Sequence, residues 1–146
     1  MKNSLHNLKI LCILSVKRKG VMSGVSEETF APKEIVTWSM LAGLSASAGL
    51  AVPDGAGGDA PVTREEMVEV LYRTAVERGM DAVTLAEYLT GYADEGEITE
   101  NRLQMMNWAV GAGILRGRFG GRLAPRQPVT RAELAEMLQR FDACME

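Results

Sequence analysis

The chain repeats itself. Residues 20–48 align with residues 113–141 at a constant offset of 93 positions, without a gap. Gly20 falls on Gly113 and Gly24 on Gly117. Phe30-Ala31-Pro32 falls on Leu123-Ala124-Pro125, Val36-Thr37 on Val129-Thr130, and Leu41 on Leu134. Carried backwards, the same offset sets Ile10 on Leu103, Ile13 on Met106 and Val16 on Ala109. Whatever the chain folds into, it uses one local unit more than once.

The later copy shows what that unit is. Met105, Trp108, Ala109 and Ala112 share a helical face, and Gly113 supplies the left-handed stop. Gly117, Gly120 and Gly121 make a backbone-permissive loop, and Leu123-Ala124-Pro125 reads as a short extended exit. Thr130 followed by Glu133 is a capping box, in which each residue satisfies a backbone N–H near the other. Leu134, Met137, Leu138 and Phe141 then form one face of a second helix. The first copy departs from this at one place. It has Thr37-Trp38-Ser39-Met40 where the later copy has Thr130-Arg131-Ala132-Glu133, so the arginine is missing and Met40 lacks the oxygen that completes a box.

A third occurrence is incomplete. Pro61 to Glu66 matches Pro128 to Glu133 at an offset of 67, and Met67, Val70 and Leu71 follow like Leu134, Met137 and Leu138. Gly79 ends that helix. Residues 53–59 upstream form a turn-forming linker too short for a helix and a loop. The organisation expected is therefore a first repeat over 1–52, a truncated second repeat over 53–81 with only its second helix, and a complete third repeat over 82–146. The spacing predicts helices over 8–18, 37–48, 64–78, 100–112 and 131–142. Residues 85–89 read equally as a helical turn or a short strand, and Thr99 as a cap for the helix after it.

Composition narrows the function. A length of 146 residues and a net charge of −3 suit one modest domain and argue against a general nucleic-acid binder. No stretch has the ~18 apolar residues a membrane span needs, so no membrane insertion is expected. Lys2, Lys9 and the apolar residues 10–14 resemble a signal peptide, but Lys17-Arg18-Lys19 stands where small cleavage-site residues belong, and the repeat register favours a helix. Cys12 and Cys144 lie near opposite ends and read as two free thiols, although a disulfide is compatible with the sequence. His6 has no partner for a metal or a catalytic triad, and Glu65 and Glu66 read as a solvated face and a cap. No catalytic residue, metal or cofactor is expected.

Helix, glycine loop, x-Pro and a T-R-[AE]-E helix together resemble the S-layer homology domain. Tyr92-Ala93-Asp94, Trp108, Gly113-Ile114, Gly117, Gly121, Pro125 and Thr130 to Glu133 carry the resemblance in order and spacing. It implies a mainly α fold, with helical repeats packed as a pseudo-threefold bundle and one repeat incomplete. It also implies a bacterial cell-surface location and a non-enzymatic role, the anchoring of exported proteins to a cell-wall polysaccharide or peptidoglycan-linked polymer. That polymer is an anionic, often pyruvylated secondary wall polymer.

The residues make chemical sense of such a ligand. Arginine meets a carboxylate with two parallel hydrogen bonds, and helix starts favour anions. Candidate ligand-binding residues are Arg131, Arg64, Gly117, Gly120, Gly121 and Arg122, with Trp38 as a sugar-stacking surface where the first copy lacks arginine. Arg116 and Arg118 punctuate the same loop. The competing reading pairs Arg131 with an acidic residue of a neighbouring repeat, and Trp108 and the methionines read as core. Two rivals stand beside the anchoring module. One is a decayed or fragmentary domain with a structural role and no binding. The other, more remote, is a helix-turn-helix-like DNA-binding regulator, against which the acids along 64–78 and 131–141 argue.

Overall fold

In the computed structural model the described residues are 33–145, apart from Leu85, Phe119 and the side chain of Ala46. The helix expected over 8–18, the first copy's glycine loop and Cys12 lie outside them. The described residues form four α-helices and no strand: α1 (Trp38–Ala48), α2 (Arg64–Glu77), α3 (Leu103–Gly111) and α4 (Arg131–Met145). Two 3-10 turns, Glu95–Glu97 and Glu100–Arg102, lead into α3. The chain is mainly helical, and these four helices fall where the apolar spacing put them.

Local chemistry sets their ends. At α4 the Glu133 N–H donates to Thr130 Oγ1 at 3.2 Å, and the Thr130 N–H donates to Glu133 Oε1 at 3.0 Å. At α2 the same exchange links Thr63 and Glu66, at 3.2 and 2.9 Å. At α1 the sequence reading needs correction. Met40 does reach back, its Sδ accepting from the Thr37 N–H at 3.3 Å. A thioether is a weak acceptor, so the box closes with a poorer partner. Gly79 and Gly113, at φ 85° and 78°, end α2 and α3. In each case the following amide donates back five residues, Met80 N to Ala75 O and Ile114 N to Ala109 O, both at 2.9 Å.

Three extended segments precede α1, α2 and α4, and they meet. The Val36 N–H donates to Val129 O, the Val129 N–H to Val62 O, and the Val62 N–H to Val36 O, each at 2.9 Å. The ring is closed, and all three valines are fully buried. One turn further along, the first helical amides repeat the pattern. Trp38 N donates to Ala60 O, Arg64 N to Gln127 O and Arg131 N to Glu34 O, at 3.1, 2.9 and 2.9 Å. Helix-start donors that have no partner inside their own helix are thus satisfied by the neighbouring segment.

The core lies under this ring. Leu41, Leu44, Met67, Leu71, Met106, Leu134 and Phe141 are buried there, and Trp108 meets Tyr72 edge-on at 5.6 Å between ring centroids. Trp108 and the methionines Met67, Met106 and Met137 are core residues, as read from the sequence.

Four local readings change. Residues 86–89 are neither helix nor strand. Thr99 does not cap with its side chain; its N–H and its hydroxyl both donate to the Glu65 carboxylate. Glu65 is therefore not a solvated residue. It is buried, and it also receives Arg102 Nη1 at 2.8 Å. Arg102 Nε bonds Glu69 at 2.7 Å, which ties residues 99–102 to α2. Ala124 is not extended but left-handed, at φ 51°.

Thr130→Ala removes an acceptor that a complete box depends on and should cost about 0.5–2 kcal/mol. Thr37→Ala should cost less, because its box is closed by a sulfur. Denaturant melts of the two variants check the order.

Candidate functional site: an arginine-lined cleft beside α4

The start of α2, the 116–118 backbone and one face of α4 enclose a cleft of about 260 Å³. Leu115 and Met137 are its apolar lining. Arg64, Gly117, Arg118 and Glu133 line it as well. Arg116, Glu136 and Arg140 complete it.

Arg64 builds this site. It leaves the first turn of α2 and is 3% exposed. Its Nε donates to Leu123 O at 2.8 Å, its Nη2 to Arg116 O at 2.7 Å and its Nη1 to Glu133 Oε2 at 2.7 Å. One planar side chain thus joins α2, both ends of the glycine loop and the cap of α4. Only a guanidinium offers donors in three fixed directions. Burial pushes its pKa down against the pull of Glu133, but from a value so high that the charge stays. Glu133 also accepts two bonds from Arg118, Nε at 2.9 Å and Nη2 at 2.8 Å. Burial raises the Glu133 pKa, but Arg118, the Thr130 N–H and the Arg64 charge outweigh that and hold it below the usual range.

The loop is held from its other side by Tyr92-Ala93-Asp94. A Cβ on Gly117 would stand 2.8 Å from Tyr92 Cε1 and 3.1 Å from Arg122 O, so only glycine fits there. The Ala93 N–H donates to Gly121 O at 3.1 Å. The buried Asp94 carboxylate accepts from the Leu123 and Ala124 N–H groups, each at 2.8 Å. These bonds fix Ala124 in its left-handed conformation. Burial raises the Asp94 pKa, but the backbone donors more than offset this and lower it.

The sequence-derived candidates separate. Arg64 and Gly117 line the cleft. Gly120, Gly121 and Arg122 belong to the same loop but do not line the cleft; Gly121 O accepts from Ala93, and Arg122 stands 3.8 Å from the exposed Glu97. Arg131 is fully buried, with Nη1 3.6 Å from Glu34 Oε2, and does not line the cleft. Burial lowers its pKa, partly offset by Glu34. Trp38 packs half-buried against the core at the start of α1. Glu136 and Arg140 were missed. Their spacing from Glu133, three and seven residues along one helix, puts all three on one face, and that signal was present in the sequence.

Comparison with protein families finds part of this region. Residues 106–135 match the S-layer homology domain. The matched span runs from α3 through the glycine loop to the first turn of α4. The S-layer homology family is one of cell-wall anchoring rather than catalysis. A search of curated proteins gave no match.

Arg64→Ala would strand the buried Leu123 carbonyl, free the part-buried Arg116 carbonyl and remove one partner of Glu133, and should cost about 3 kcal/mol or more in denaturant melts. Arg64→Lys should recover little of this. The pH dependence follows from the carboxylates. Asp94 and Glu133 have depressed folded values, so their contribution is complete above the unfolded value, about 4, and is lost as pH falls through the folded value. The melting temperature should hold from neutral pH to about 5 and drop below about 4. Asp94→Asn should start lower and drop less steeply.

Proposed function

We propose that the chain is a non-covalent cell-wall anchoring module. In this reading the cleft beside α4 holds an anionic, pyruvylated secondary wall polysaccharide at a bacterial cell surface. The observation that carries the reading is the charge of a cleft to which the matched family region contributes Leu115 to Arg118 and Glu133. Arg64, Arg116, Arg118 and Arg140 line it against only Glu133 and Glu136. A net positive cleft on a chain of net charge −3 is a local feature, suited to an anionic ligand. Apolar Leu115 and Met137 beneath the charges suit the carbon skeleton of a sugar.

The closed valine ring supports reading α1, α2 and α4 as equivalent second helices of three repeats around a pseudo-threefold axis. The cleft then lies between the truncated second repeat and the complete third one. The wall polymer is the partner in this reading, with no nucleic acid and no reaction catalysed. Among the described residues no helix is long and apolar enough to cross a membrane.

Sedimentation with purified bacterial cell walls tests the reading. Walls that carry their secondary polymer should retain the chain, and walls stripped of it should not. Retention should weaken with salt, because the attraction is between charges. Equal retention on both preparations would sink the proposal and leave a fragment with a structural role.

A further inference from the structure

The four arginines of the cleft are not equivalent. Arg64 gives Nε, Nη1 and Nη2 to protein acceptors and is almost wholly buried. Arg118 gives Nε and Nη2 to Glu133, and Nη2 also to Pro128 O at 3.1 Å. The Glu133 bonds are the first cause of its raised pKa, a sign of a cation already matched by its own anion. A ligand would have to break several charge-assisted bonds at once to recruit either one, buried or part-buried in Arg64 and part-buried and two-pronged in Arg118, and such bonds are the strong ones.

Arg116 and Arg140 differ. Arg116 is exposed, and among the described residues its side chain makes no hydrogen bond or ion pair. Its carbonyl is held by Arg64, so its backbone is fixed while its guanidinium is open. Arg140 has one partner, Glu136, one turn earlier on the same helix at 3.2 Å. Glu136 is 60% exposed. A water-exposed pair of this spacing is worth a few tenths of a kcal/mol, so it yields readily to a better acceptor. Both arginines and Glu136 line the one cleft.

We propose that Arg116 and Arg140 are the two cations that take the carboxylate of the wall sugar, and that Glu136 is a tethered competitor occupying Arg140 until the ligand displaces it. Arg64 and Arg118 are positioning residues that hold the cleft's shape. This division of labour rests on the wall-polymer reading above and adds to it a built-in brake on affinity. The brake follows from placement: a carboxylate on the α4 face competes for the same donors as the incoming one and repels it.

The test is quantitative sedimentation with polymer-bearing and stripped walls, using wild type, Arg116→Ala, Arg140→Ala and Glu136→Gln. Glu87→Gln, which neutralises an exposed acid outside the cleft, controls for net charge. Thermal melts accompany each variant, and only variants that melt like wild type are compared. Glu136→Gln should bind polymer-bearing walls about threefold more tightly, the size expected from removing one nearby like charge at the surface. Arg116→Ala and Arg140→Ala should each bind about tenfold more weakly, the loss of one charge-assisted bond. If wild type needs the polymer but Glu136→Gln binds no tighter, or no tighter than Glu87→Gln, the brake is wrong and the anchoring reading stands. Wild-type affinity in either arginine variant would overturn the contact assignment in the same way. Wild-type retention on stripped walls equal to that on intact ones would overturn both.

Discussion

Three backbone amides hold this molecule together at its centre. The N–H of each of Val36, Val62 and Val129 is given to the carbonyl of the next, and the ring closes on itself with no donor left over. The arrangement does in miniature what a barrel does for a sheet: it removes the edge. Because the valines are buried, opening the ring would strand backbone polar groups away from water, which costs far more than a surface hydrogen bond returns. Everything outward follows from the closure. Each valine is followed by a capping threonine, and each threonine starts a helix, so fixing the three segments fixes the origins of α1, α2 and α4 together.

The residue after the α2 threonine couples α2 to the elements around α4. From the first turn of α2, Arg64 crosses to the glycine loop that precedes α4 and to the glutamate that caps α4. The same glutamate serves the helix cap, the inter-element ion pair and the wall of the cleft. Stability and site geometry are therefore not separable here. The loop is pinned on its inner side by Arg64 and on its outer side by Tyr92 and Asp94, and the cleft inherits its rigidity from both.

What the sequence disclosed and what it withheld divide along a physical line. The helix starts at Thr63 and Thr130 and the stops at Gly79 and Gly113 were legible because their chemistry is completed within a few residues. Glu65 was misread because its partners, Thr99 and Arg102, lie more than thirty residues away. Met40 was misread because a sulfur is not the oxygen the capping pattern names. The candidate site was half legible. The glycine loop and Arg64 were visible as a repeated pattern, but nothing local told Arg64, which serves the cleft, from Arg131, which is buried beside Glu34. That distinction depends on which segment each helix start faces.

The same geometry gives the odd tryptophan of α1 a setting. The first amide of α1 is directed at the segment before α2, as the first amide of α2 is directed at the segment before α4. The segment before α4 contains a glycine loop whose carbonyls grip an arginine. The segment before α2 holds the short turn over 53–59 in place of such a loop. There a tryptophan packs half-buried against the core instead. The missing arginine in one copy and the missing loop in the next are thus complementary halves of one joint. Beside α2 the arginine and the loop that receives it work as a pair, so a designer rebuilding the joint beside α1 would graft both at once.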